Sequence, residues 1–473
     1  MPRRPIRTAE ASAGRAQAFT HHLSRGERRA KGKSLREACP RSSHAVWKPP
    51  AGRPDPVRVL LLADKGRMPE LLPLRHGRMA QSPFTFYRGS ALAMATDLAT
   101  TPVTGIRVQC CGDAHLCNFG GFATPERQVI FSINDLDETL PAPWEWDLKR
   151  LAASFVVACR DNGLSEATAK EVVLSCVASY REQIAAFSEM KALELWYSAL
   201  DIETLISTIP DPGFRRRALE RLTKERGKSV AEDIFPKLAS ASGESQFIKD
   251  QLPTIFHWKG HSPGEVESAI KLAFARYRQT LLPAYQLLLD RFELKDAAIK
   301  VVGVGSVGTR CWVLLLTAGE GDPFFLQVKE ARASVLEAYA GKSLFPNHGQ
   351  RIVNGYRVMQ PYSDMFLGWT EGNGGRHYFF RQLRDIKISV RVETFGAAEM
   401  NLYAQWCSHA LALAHARSGD PAMISGYLGK SDAFDKAIAG FSVGYADQNE
   451  QDHAGIKRAI RAGKVKAVVE KAT

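Results

Sequence analysis

Residues 110–120 read CCGDAHLCNFG and residues 131–138 read FSINDLDE. In the first stretch an apolar run with Ile106 and Val108 leads into Gly112-Asp113, and Asn118 follows five positions after Asp113. In the second, apolar Val129–Ile133 delivers Asn134-Asp135-Leu136-Asp137-Glu138. Phosphoryl transfer from a magnesium nucleotide needs such a set. One carboxylate takes or orients the proton of the attacking hydroxyl. An amide oxygen and a second carboxylate hold Mg²⁺, whose other ligands are waters and nucleotide phosphates. Asp113 is the expected base, with Asn118 and Asp135 the expected metal ligands. Asp137 and Glu138 rival Asp135 for the metal. Strand alternation puts Asp135 and Asp137 on one side, and Asp135 is preferred because it follows the apolar run most closely. Taken singly, each residue also reads as a solvated or capping loop position.

A second set lies far downstream. Ile299–Val302 is β-branched and runs into Gly303-Val304-Gly305-Ser306-Val307-Gly308. A lone GxGxxG is weak, and its context decides. A dinucleotide fingerprint needs a helix directly after the glycines; here Thr309–Thr317 reads as a strand. A third strand, Phe324–Val328, ends at Lys329. A glycine loop between antiparallel strands, with Lys on the third, is the arrangement that covers nucleotide phosphates in protein kinases. Gly303, Gly305, Ser306 and Gly308 would bring backbone N–H groups to the phosphates. Lys329 would neutralise phosphate charge, and Glu337, on a helix expected over Ala331–Ala340, is its expected partner. Tyr356–Gln360 and Tyr378–Gln382 read as two more strands.

GDxxxxN followed by an apolar strand and an Asp resembles the catalytic loop and metal-binding Asp of aminoglycoside phosphotransferases and fructosamine kinases, small-molecule members of the protein-kinase-like superfamily. Trp146-Asp147-Leu148 is similar to their later Asp-Leu-Ala segment, and the resemblance implies a structural role for Asp147, tying its helix to the loop. The sequence departs from the pattern at Cys111, where those families carry His. The whole chain after the first segment resembles a bacterial family known as domain of unknown function 2252. The segments that carry this are RMAQSPFTFYRG (78–89), CGDAHLCNFGGF (111–122), NDLDETLPAPWEWDLKRLAAS (134–154), VGVGSVGTR (302–310), LQVKEA (326–331) and AHARSGD (414–420). Ser132 stands where an acidic residue is expected in such relatives.

Kinases place the glycine lobe before the catalytic loop. Here Asp113 precedes Gly303 by nearly two hundred residues, and the later candidate, Asp420, has Ser425 rather than Asn five positions on. The expectation is an α+β, two-lobed, protein-kinase-like fold that is circularly permuted and carries a large helical insert. Its expected parts are a basic arm and linker (1–55), the catalytic-loop part of the C-lobe (56–164), a helical region (165–296), the glycine-loop β lobe (297–395) and C-terminal helices (396–473). Within the helical region, Ser262-Pro263-Gly264-Glu265 reads as a capping box.

The 473 residues carry a net formal charge of +13, with 45% apolar and 24% charged residues. That is ample for a core and excludes wholesale disorder. Residues 1–60 hold 14 Lys/Arg against 4 Asp/Glu, and residues 451–473 hold 6 against 2, so the body is nearly neutral. The basic end reads first as a solvated tail. Its alternative is an arm attracted to nucleic acid, although Phe19 and Trp47 are the only aromatics there for stacking bases. The MPRRPIRTAEASAG opening lacks the apolar stretch of a secretory signal, and no apolar run approaches the ~18–20 residues of a membrane span. The eight cysteines form no CxxC pair, and Cys111, His115 and Cys117 lack a fourth ligand for zinc. A cytoplasmic protein is expected.

These readings predict an ATP- and Mg²⁺-dependent phosphotransferase. Only residues 136–146 separate Asp135 from Asp147, too short for a polypeptide-docking activation segment, so a small-molecule hydroxyl or amine is the expected acceptor. The helical region 165–292 is expected to wall its pocket, with Arg75, Arg78 and Arg88 holding an anionic group of it. The competing readings are a catalytically silent kinase-like nucleotide-binding or scaffold protein, and a nucleic-acid-binding protein acting through the basic arm.

Overall fold

The computed structural model describes residues 22–242, 245–258, 263–383 and 386–470. The MPRRPIRTAEASAG opening and Ser262 of the expected capping box lie outside the described residues. From residue 22 onward the basic segment is part of the fold rather than a free arm. Helix α1 (Arg25–Ala38) starts at a reciprocal cap: Glu27 N–H donates to Ser24 Oγ, and Ser24 N–H to the Glu27 carboxylate. The helix lies against residues 421–428 at a crossing made of glycines. A Cβ on Gly32 would overlap the Met423 carbonyl, and one on Gly426 the Arg29 carbonyl. Arg36 donates to the Gly426 and Tyr427 carbonyls at 2.6 and 2.8 Å, and Arg41 to that of Leu428 at 2.6 Å. These are carbonyls that the end of a helix leaves unpaired. Arg53 forks onto the buried carboxylates of Asp97 and Asp452. Much of the basic charge of residues 22–55 therefore points inward.

Four short helices follow: α2 (Pro56–Asp64), α3 (Leu72–Ala80), α4 (Pro83–Gly89) and α5 (Ala91–Leu98). The loop motifs sit among β1 (Arg107–Cys110), β2 (Phe119–Ala123), β3 (Val129–Ile133) and β4 (Leu140–Pro143). β1 pairs antiparallel with β4, and β2 with β3. α6 (Trp144–Asp161) is buried nearly all round. It ends at Asn162-Gly163, where Gly163 takes φ +74°. α7 (Glu166–Phe187) is capped by Ser165.

The region expected to be helical is mostly so, but after α7 short strands cut it into pieces. They are α8 (Ala192–Tyr197), β5 (Leu200–Asp201), α9 (Ile202–Ser207), α10 (Pro212–Arg226), α11 (Phe235–Leu238), β6 (Ala239–Ser242), β7 (Ser245–Ile248), β8 (Ile255–Phe256), α12 (Pro263–Arg278) and α13 (Pro283–Leu289). Strands of two to four residues carry too few positions to show a period of two.

Next come β9 (Glu293–Lys300), β10 (Cys311–Thr317), β11 (Pro323–Ala331), α14 (Glu337–Ala340), α15 (His348–Met359), β12 (Gly368–Glu371), β13 (His377–Gln382) and β14 (Lys387–Ile388). The six-stranded antiparallel sheet runs β12-β13-β11-β10-β9-β8. Two expectations fail here. Ala331–Ala340 contributes one helical turn only, ended by Gly341 at φ +95°. Tyr356–Gln360 is not a strand: Asn347 caps a helix through the N–H groups of Gly349 and Gln350, and Ile352, Tyr356 and Met359 bury its inner face. The β-prone composition of YRVM yields to a cap and a helical apolar stripe. α16 (Ala397–Ser418), α17 (Pro421–Leu428) and α18 (Ala433–Arg461) complete the chain. Asp420 is the N-cap of α17, accepting from Ala422 and Met423 N–H.

The α+β class holds, with several antiparallel sheets and one large apolar core built around α6, α7 and α16. No described helix is long and apolar enough to cross a membrane. All eight cysteines are free. Replacing Gly426 by Leu should lower the stability of the chain in urea unfolding by about 1–3 kcal/mol or more, because the backbone it meets cannot step aside. Gly264→Ala, where a Cβ meets nothing, should stay within about 0.5 kcal/mol of the parent.

Candidate active site

The Asp113 loop is held from behind by α6. Asp147 accepts the N–H groups of Cys111 at 2.5 Å and Gly112 at 2.9 Å, and His415 Nε2 lies 3.2 Å away on the far side. Gly112 meets two demands there. Its φ is +81°, and a Cβ would overlap the Glu138 carbonyl. One helical turn after Asp147, Arg150 donates from Nε to Asp113 Oδ1 at 2.6 Å and packs on the Tyr87 ring. Asp113 Oδ2 is 3.9 Å from Nε2 of His115, an imidazole whose burial lowers its pKa to about 4 and so keeps it neutral. Asn118 Nδ2 donates to the Asp113 carbonyl at 2.8 Å, which leaves the amide oxygen for a cation.

The second loop leaves β3 and meets the six-stranded sheet. Lys329 Nζ is 2.5 Å from Asp137 Oδ2 and 3.4 Å from both oxygens of Asp135. It also sits 5.5 Å from the centroid of the Phe379 ring. The lysine side chain is 2% exposed, whereas those of Asp135 and Asp137 are 33% and 26% exposed; the carboxylates open to a cleft that the ammonium backs. Burial and the Asp135 charge push the Asp137 carboxyl up, while Lys329 and Arg381 hold Asp135 below the usual range against its own burial. Asp137 Oδ1 is buried without a hydrogen-bond partner. An orphaned carboxylate oxygen beside Asp135, with the Asn118 amide oxygen on the same cleft, fits a divalent cation with oxygen ligands.

Glu337 is not the partner of Lys329. Its carboxylate accepts from Ser334 N–H and lies 3.8 Å from His348 Nδ1. With no long helix directly after β11, α15 approaches instead. It sends Arg351 to the carbonyls of Asp137, Thr139 and Arg332. It also sends the Tyr356 hydroxyl to the Asn134 carbonyl at 3.1 Å.

The glycine loop closes the cleft from the third side. Gly303 and Gly308 take φ +64° and +86°. Three of the loop's carbonyls are held: Gly303 by Arg78 Nη1 at 2.7 Å, Val307 by Arg67 Nη1 at 2.6 Å, and Gly308 by Met68 N–H at 2.7 Å. Among the described residues no hydrogen bond takes up the N–H of Gly303, Gly305 or Ser306. Gly305 and Ser306 border a cleft of about 250 Å³ with Asp113, Asn118, Asp135 and Asp137. Gly303 and Ser306 border an adjoining cleft of about 760 Å³ with Asp135, Lys329, Gln327 and Arg381. Asp135, Ser306 and Arg88 line both. Segments far apart in the chain thus face one another across connected space.

Residues 67–459 match the model of a bacterial family described as an uncharacterized protein conserved in bacteria, domain of unknown function 2252. The chain belongs to that family. No curated protein and no solved structure matches it. The span shared with the family opens at Arg67, which holds the glycine loop, and contains every residue named above.

Other expectations about this family member change with the geometry. Arg75 is spent on Asp64 and the Gly89 carbonyl, and Arg78 on Glu470 and Gly303; Arg75 and Arg88 both border the cleft, and of the two only Arg88 has no carboxylate within ion-pair distance among the described residues. The region 165–292 supplies no wall of the small cleft, and Leu288 and Phe292 are what it gives to the adjoining one. Cys110, Asp147 and His415 gather within 4.8 Å. Hydrogen bonds occupy them: both Asp147 oxygens take loop N–H groups, and His415 Nδ1 meets the Tyr180 hydroxyl at 2.8 Å. Arg150 and Arg381 escaped the sequence reading. Arg150 was findable, since it stands three residues after Asp147 and shares its helix face. Arg381 was not, because only the pairing of β11 with β13 sets it beside Gln327. Asp147→Ala should cost about 1–3 kcal/mol for each loop N–H it orphans, read as a lower unfolding midpoint in urea.

Proposed function

We propose that this chain is an ATP- and Mg²⁺-dependent phosphotransferase of circularly permuted, kinase-like fold, acting on a small-molecule hydroxyl or amine. The observation that carries the reading is the contact of Lys329 with Asp135 and Asp137, two carboxylates that border a cleft together with the glycine loop and Asp113.

In this reading the free N–H groups of the glycine loop and the Lys329 ammonium receive the phosphates. Asn118, Asp135 and Asp137 hold the Mg²⁺, which neutralises charge that builds on the transferring group. The acceptor oxygen or nitrogen forms a bond to the γ-phosphorus as the bond from that phosphorus to the β,γ-bridging oxygen breaks. ADP departs with the electron pair, and the acceptor's proton goes to Asp113. Arg150 is a positioning residue: it occupies Oδ1 of Asp113 and leaves Oδ2 for the proton.

Permutation is physically tolerable because an active site depends on spatial contacts and not on chain order. The nucleic-acid reading loses the arginines of 25–53, which are occupied with carboxylates and helix ends.

Mg-ATP should raise the melting temperature of the full chain, by an amount that grows with ligand concentration. Lys329→Met should remove that shift. Asp113→Asn should keep it and lower Mg-dependent phosphate release from ATP by ~10²–10⁴-fold. A melting temperature indifferent to Mg-ATP defeats the proposal.

A further inference from the structure

Four guanidinium groups border the 250 Å³ cleft beside Asp113: Arg67, Arg75, Arg88 and Arg332. Arg75 is neutralised by Asp64 at 2.8 Å. Among the described residues the other three have no carboxylate within ion-pair distance. Arg67 donates only to the carbonyls of Ala63 and Val307, and Arg332 to that of Lys65. Arg88 keeps its Nε buried without a partner.

The cleft's own carboxylates supply only part of the counter-charge. Asp113 is taken by Arg150, Asp135 and Asp137 by Lys329, and Glu330 by Arg310 at 3.2 Å. Glu138 accepts the Val335 N–H at 2.7 Å. Burial, together with the like charges of Arg75 and Arg332, brings the Arg67 pKa down to about 9 against the opposing charges of Asp64 and Glu138. Three cations with open donors stand around one small cleft with no carboxylate within ion-pair distance, and the fork of a guanidinium matches a planar or tetrahedral oxyanion.

We infer that Arg67, Arg88 and Arg332 form an oxyanion site, and that the acceptor is an anionic small molecule carrying a phosphate or carboxylate near the hydroxyl or amine that is modified. The second half rests on the phosphotransferase reading; the anion site itself does not. Arg88 comes from α4, Arg67 from the turn after α2 and Arg332 from the end of β11. An anion bound among them ties the N-terminal helices to the glycine-loop sheet, with Asp113 on the same wall.

The test is calorimetric titration of inorganic phosphate, and separately of malonate, into the full chain with and without saturating Mg-ADP. At least one anion should bind under both conditions. Arg88→Gln and Arg67→Gln should each weaken it tenfold or more, and Arg88→Lys, which keeps charge but loses the fork, should weaken it less. Mg-ADP affinity in Arg88→Gln should stay within twofold of the parent. Melting curves without ligand identify any variant that fails to fold, and Arg376→Gln, remote from this cleft, serves as the unchanged control. The inference is overturned if neither anion binds, if the Gln variants bind as well as the parent, or if Mg-ADP abolishes anion binding. It is also overturned if Mg-ADP affinity falls in step with anion affinity in Arg88→Gln, because the arginine then serves the nucleotide. Anion binding that depends on Arg88 in a chain that ignores Mg-ADP upholds the site and removes the phosphotransferase reading alone.

Discussion

One ammonium group, Lys329 Nζ, lies buried against carboxylates that precede it by 194 residues in the case of Asp135. Moving a charge out of water costs several kcal/mol unless a partner is close and well placed. The sheet that carries Lys329 and the loop that carries Asp135 and Asp137 therefore satisfy each other. Lys329 and Arg381 both act on Asp135, yet Asp137 Oδ1 has no hydrogen-bond partner. An orphaned carboxylate oxygen beside a second carboxylate is what the proposed metal site rests on.

The surroundings serve to hold these few groups still. α6 offers Asp147 to the backbone of the Asp113 loop and Arg150 to its side chain, so one helix face fixes both the path of the loop and the aim of its carboxylate. On the other side Arg67, Arg78 and Met68 hold the carbonyls of Val307, Gly303 and Gly308. The N–H groups of Gly303, Gly305 and Ser306 are left without a hydrogen bond among the described residues. The glycines make the bend sterically cheap, and the clamps make it definite.

The basic ends of the chain illustrate how composition misleads without geometry. A charge of +10 over the first sixty residues reads as a tail. In the fold, Arg36 and Arg41 cap the carbonyl end of α17, and Arg53 bridges two buried carboxylates. Arg67, Arg88 and Arg332, with no carboxylate within ion-pair distance among the described residues, stand instead around the small cleft.

Spacing within short windows was legible. The five-residue step from Asp113 to Asn118, the strand that delivers Asp135, the glycine run before a strand and the lysine at the end of the next are local patterns, and the elements around them formed as read. So did the anchoring of the loop by Asp147. The partner of Lys329, the helical state of Tyr356–Gln360, the docking of residues 22–55 and the trio Arg67, Arg88 and Arg332 were not legible. Each depends on which surfaces meet. A buried charge chooses its counter-ion by distance in space, and a short β-prone run takes the conformation that its cap and its packing face impose. The sequence by itself determined which chemical groups are present and in what local order. Tertiary structure alone decided which of them share a low-dielectric space, because electrostatic pairing and burial act across contacts that chain order does not encode.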